Sequence, residues 1–154
     1  DCVQTMIMIP DNLYARIRRS MPIPCVDLLV KYREDRVLFL KRRNPPAEGE
    51  WWFPGGRVHL YELRVDAAKR KLREECGIEA DPCGELGTFD LFFCNDQTAT
   101  THHHTITTVY EFHIDIAEVK LDAQSTAYRW MTTRECLSEI RHPFLRHILD
   151  KHGI

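Results

Sequence analysis

Between residues 53 and 78 the chain reads FPGGRVHLYELRVDAAKRKLREECGI. Pro54 has no N–H for a strand ladder, so it stops the short apolar strand that begins at Trp51 and Trp52. Two glycines follow and permit a tight turn. From Glu62 to Cys76 the apolar positions Val65, Ala68, Leu72 and Cys76 recur at helical spacing, and Gly77 supplies the stop. A helix with one apolar stripe must bury it, and the strand before it points to a sheet as the cover.

The flanking segments predict that sheet. CVDLLVKY (25–32) and RVLFLKR (36–42) read as strands joined by a polar turn at Arg33–Asp35. GTFDLFFCN (87–95), TITTVYEFHIDI (105–116) and YRWMT (128–132) add three more. Residues 11–19 predict a short helix ended by Pro22 and Pro24. Two helices close the chain, starting at Thr132 or Thr133 and at Pro143. The expectation is an α/β fold, a mixed sheet flanked by helices, as a single domain over 1–154. With 154 residues, 44% apolar and 29% charged, the chain is long enough for a real core.

Charge narrows the partners. A net charge of −2 gives no reason to expect nucleic acid or an anionic membrane. No apolar run is long enough to cross a bilayer. The six cysteines (2, 25, 76, 83, 94 and 136) include no C-x-x-C pair, so they read as reduced thiols of a cytoplasmic protein. His142, His147 and His152 drift around a helix and read as surface. Trp51, Trp52 and Phe53 read as core or as a stacking platform for a base or sugar.

Glu74 and Glu75 carry the chemistry. Residues four apart share a helix face, which sets Arg70 beside Glu74 and Lys71 beside Glu75. A solvated face laced with ion pairs is the plain reading of such a charge run. Adjacent glutamates straddle two faces, however, so one of them approaches the buried side. The Pro-Gly-Gly turn can bring backbone carbonyls to the same place. Carboxylate and carbonyl oxygens suit a hard divalent ion, and Arg42, Arg43 and Arg57 nearby suit phosphate oxygens.

Gly56, Glu62, Arg70, Leu72, Glu74, Glu75, Gly77 and Ile78 fall in register on G-x5-E-x7-R-E-U-x-E-E-x-G-U, where U is a bulky aliphatic residue. This stretch resembles the Nudix box. LKRRNPPAEGEWWFPGGRV (40–58), VDLLV and YRWMT further resemble the GDP-mannose mannosyl hydrolase branch of that family. The resemblance implies an α/β/α sandwich, a homodimer, and Mg²⁺-dependent hydrolysis of a nucleoside diphosphate sugar, with Mn²⁺ as the substitute ion. It implies that the Gly55 carbonyl, Glu75 and Gln124 hold the metal, with Glu74 beside them. Arg42, Arg57, Asp27 and His104 would contact substrate, and Glu74, Glu75 and Arg57 would serve catalysis. Asp27 also has a plain reading as a structural salt bridge, with Arg42 as a partner.

Two positions depart from the pattern. Lys71 stands where the box has Glu, which argues for one metal ion with the ammonium replacing part of a second ion's charge; the plain alternative is a surface pair with Glu75. Ser125 stands where the branch has a His base, directly after Gln124. Glu74, Asp122 and the run His102–His104 are the candidate substitutes. Two alternatives therefore stay open: a pyrophosphatase cleaving the diphosphate, and a nucleotide-sugar-binding domain without turnover.

Overall fold

The computed structural model describes residues 8–44, 47–93 and 103–154. Its strands are β1 (Ile23–Tyr32), β2 (Arg36–Arg42), β3 (Trp51–Trp52), β4 (Gly55–Arg57), β5 (Gly84–Phe93), β6 (His103–Ile114) and β7 (Ser125–Thr132). Its helices are α1 (Asp11–Ser20), α2 (Arg64–Cys76), α3 (Thr133–Glu139) and α4 (Pro143–Lys151). All seven strands share one sheet, whose main path runs β3–β2–β1–β6–β5. β4 adds to β1, and β7 adds to β2. β1 and β6 run parallel, from Ile23 opposite Thr105 to Tyr32 opposite Ile114. The other pairings are antiparallel.

The near-continuous apolar runs of β1 and β2 follow from burial on both faces. Val26, Leu28, Val30, Leu38, Tyr110 and Phe112 meet Ala67, Ala68, Leu72 and Cys76 of α2 on one face. Leu29, Phe39, Val109 and Met131 meet Cys136 of α3 and Leu145, Ile148 and Leu149 of α4 on the other. Each such fully buried Leu or Ile contributes roughly 1.5–3 kcal/mol of transfer free energy. The expected sandwich of helices on a mixed sheet is what forms.

Boundaries shift where side chains intervene. α2 starts at Arg64, two residues later than the apolar spacing suggests, because Glu62 belongs to the turn before it. Its carboxylate accepts the His59 N–H at 3.0 Å and the Arg70 guanidinium at 2.7 Å. β5, β6 and β7 begin earlier than expected, while Cys94, Asn95, Cys2 and His102 lie outside the described residues. Cys76 and Cys136 are buried, Cys25 is half-buried and Cys83 is exposed, all as free thiols. The surface reading of the C-terminal histidines needs correction at two positions. His142 caps α4, its Nδ1 accepting the Phe144 N–H, and its ring packs 4.7 Å from Trp52. His152 is half-buried, whereas His147 is exposed. Among the described residues no helix is long and apolar enough to cross a membrane.

Candidate active site

β4 lies against β1 with Gly55 opposite Asp27 and Arg57 opposite Cys25. The approach is so close that a Cβ at Gly55 would fall 2.3 Å from the Val26 carbonyl oxygen, which only glycine allows. That packing brings the turn to α2, where the Gly55 N–H donates to Glu75 Oε2 at 2.8 Å. Gly77 then ends α2 at φ 67°, its N–H donating to the Arg73 carbonyl.

Arg70 braces the turn. It forks onto both oxygens of Glu62 at 2.7 and 2.9 Å, reaches Glu74 at 3.0 Å, and donates to the Arg57 carbonyl at 3.0 Å. A bidentate, mostly buried pair of this kind fixes geometry. Lys71 is buried, which removes the surface-pair reading of that residue. Its ammonium sits 3.6 Å from Glu74 and 3.5 Å from Glu75. Burial pushes the Glu75 carboxyl up to about 6, while Lys71 and the Gly55 N–H pull it partly back.

The second wall comes from strand ends. Gln124 precedes β7, and its carbonyl accepts the Arg43 N–H at 3.1 Å while its own N–H donates to Asp122. The β2–β7 register shifts between Lys41 and Arg42, a bulge of the kind that re-aims a side chain beside a site. Ser125 is buried opposite Arg42.

Asp27 points inward from β1. It accepts from the Thr107 hydroxyl at 2.5 Å and from the Trp52 indole at 3.2 Å, so these are the hydrogen bonds that hold it, with Arg42 acting as a neighbouring charge. Burial pushes its carboxyl up to about 6. Trp52 is thereby a core residue with a polar duty, and Phe53 stacks on Phe39 in the core.

A cavity of about 560 Å³, the size of a small-ligand site, collects these groups. Gly55, Glu74, Glu75, Gln124, Arg42, Arg57 and Asp27 all line it. His104 does not: it lines a neighbouring depression, stacks on Phe92 at 4.5 Å and approaches Asp90. Its strand neighbour His103 faces the cavity instead, buried, with its imidazole pushed down to about 4 by burial and by Arg18 and Arg42. Alternation along β6 was the available signal, since His103, Thr105 and Thr107 share one face. Tyr14 and Arg18 of α1 also line the cavity, with the Arg57 guanidinium 5.5 Å from the Tyr14 ring. Nothing in the N-terminal sequence marked those two.

The NUDIX domain model matches residues 21–151. The chain belongs to the Nudix family. The Nudix box, Gly56 to Ile78, is the braced turn and carboxylate helix just described, and family membership makes the chain a hydrolase. Its relatives include the low-salt glycan biosynthesis protein Agl8 of Haloferax volcanii, 33% identical over 92% of this chain and 89% of that protein. Among solved structures, a MutT protein from Methanosarcina mazei superposes with a TM-score of 0.70 at 24% identity, covering 86% of this chain and 96% of the other. The NUDIX domain of Shewanella oneidensis NrtR, solved with ADP ribose, superposes at 0.68 with 18% identity, covering 94% and 97%. These structures share the fold.

The donor set fits a hard divalent ion. Glu74, Glu75, Gln124 and Gly55 each have an oxygen to offer and all line the one cavity, which has room for retained waters. The Lys71 ammonium lies within 3.6 Å of both carboxylates and offsets part of their charge.

Proposed function

We propose that this Nudix hydrolase acts on a nucleoside diphosphate linked to a sugar and works with one Mg²⁺ ion. The observation that carries the reading is Lys71 lodged between Glu74 and Glu75, in a cavity that also presents Arg42, Arg57 and Gln124. Glycan biosynthesis in the name of the Haloferax relative is consistent with a sugar-bearing nucleotide.

Glu75, Gln124 and the Gly55 carbonyl would hold the ion, with Glu74 adjoining. The ion would supply Lewis-acid polarisation of the diphosphate. Arg42 and Arg57 grip the diphosphate oxygens and stabilise charge that grows as the leaving group departs. Glu74 is occupied by Arg70 and Lys71, which suits it to positioning better than to proton transfer. Asp27, a buried cavity carboxylate raised by burial to about 6, takes the general-base role in place of the histidine missing at Ser125.

The test is incubation with GDP-mannose, GDP-glucose, UDP-glucose and ADP-ribose, with and without Mg²⁺, and product identification by phosphorus NMR. Metal-dependent turnover of a nucleotide sugar, abolished in Glu75→Gln, is the expected result. Nucleoside diphosphate plus free sugar reports attack at carbon; nucleoside monophosphate plus sugar phosphate reports attack at phosphorus. Binding without turnover of all four would overturn the reading and favour a binding domain.

A further inference from the structure

Arg18 belongs to two hollows at once. It lines the main cavity, and it lines the smaller depression, about 330 Å³, formed with Arg19, Phe92, His103 and His104. The hollows therefore meet at Arg18 and His103. Arg18 and Arg19 share the last turn of α1, where basic side chains answer the helix dipole. Arg19 does so from an exposed position, while Arg18 is half-buried.

Arg18 Nε is buried and has no hydrogen-bond partner. Its neighbour is the Tyr14 ring, 5.8 Å from the guanidinium carbon, and among the described residues no carboxylate forms an ion pair with it. A buried charged donor left unmet is costly, and native structures rarely keep one without a use. Burial first, and then the charges of Arg18 and Arg42, hold the His103 imidazole below its ordinary value, so it does not compete with an anion's partners as a cation. Asp90, which approaches His104 at the rim, is well exposed and, among the described residues, forms no ion pair with Arg18. Arg42 and Arg57 line the main cavity alone, whereas Arg18 also lines the smaller depression, which sets it toward a different part of the ligand.

The geometry points to a second oxyanion position at this junction: the substrate carries, beyond its diphosphate, an anionic group that the Arg18 guanidinium grips, with Arg19 and His104 flanking it. This rests on the cavity being a nucleoside diphosphate sugar site. A carboxylate on the sugar and a phosphate on the ribose share the required chemistry, since both offer paired oxygens to a guanidinium fork.

Matched ligand pairs separate these sources. GDP-mannose is compared with GDP-mannuronic acid, and ADP-ribose with ADP-ribose 2′-phosphate, by titration calorimetry on the Mg²⁺-loaded protein. In one pair the anionic member binds about tenfold or more tightly than its neutral partner. Arg18→Leu erases most of that difference, and Arg18→Lys, which keeps the charge, restores part of it; thermal melting checks that both variants fold. Equal affinity within both pairs overturns the inference, as does a Leu variant that weakens neutral and anionic members alike. Either of those results leaves the nucleotide-sugar reading standing as long as GDP-mannose or ADP-ribose binds. Failure of all four ligands to bind removes both.

Discussion

Lys71 changes what Glu74 and Glu75 can do. A glutamate at that position would place three carboxylates within one helical turn, which only cations could reconcile. The ammonium instead lies 3.5–3.6 Å from both neighbours, buried with them. Lys71→Glu is expected to raise Mg²⁺ stoichiometry by titration calorimetry and to lower the melting temperature in chelator, with Mg²⁺ restoring it. An unchanged metal count would remove the role assigned to Lys71. The ion-pair partner of Lys71 was legible in the sequence from i,i+4 spacing, but its burial was not. Spacing fixes which side chains meet, whereas burial depends on the β4 turn folding over α2.

At the scale of elements, helix ends carry separable amounts of stability. Gly77 holds a left-handed conformation, and a Cβ there would meet Lys120 Cβ at 3.0 Å. Gly77→Ala is expected to cost about 1 kcal/mol or more, read as a melting temperature lower by roughly 2–4 °C. Thr132 and Glu135 form a reciprocal capping box at the start of α3. Thr132→Ala should cost about 1 kcal/mol. No change in denaturant midpoint for either variant would contradict these assignments. Gly77 was visible in the sequence as the stop of α2, and the start of α3 was narrowed to Thr132 or Thr133, because capping is written into nearby residues. The parallel pairing of β1 with β6 was not, since Asp27 and Thr107 meet across 80 residues. That long-range contact hid Thr107 as a partner of Asp27, and the histidine facing the cavity lies one residue from the one read from the sequence. Local periodicity cannot choose which of two adjacent strand residues turns inward.

For the molecule as a whole, buried titratable groups at one cavity set the pH profile. Asp27 rises from 3.8, and Glu75 from 4.5, to about 6. The folded chain holds those protons more tightly than the unfolded chain. The stability they confer is full below pH about 4 and is lost as pH rises through about 6. His103 shifts the other way, from 6.5 to about 4. Its contribution is present above pH about 6.5 and is lost as pH falls through about 4. The windows overlap and the signs oppose, but two carboxyls fall against one rising imidazole, so these groups leave the metal-free protein losing stability as pH rises between about pH 4 and 6. Single substitutions unmask the components. Relative to the parent, Asp27→Asn should gain stability as pH rises across that window, because one falling limb is gone. His103→Gln should lose stability over the same range, because the rising limb is gone. Urea unfolding in chelator at several pH values reads both slopes. Because the two groups face one cavity but titrate in opposite senses, changes of slope from the parent that share one sign in the two variants would mean that at least one of them is not buried as described.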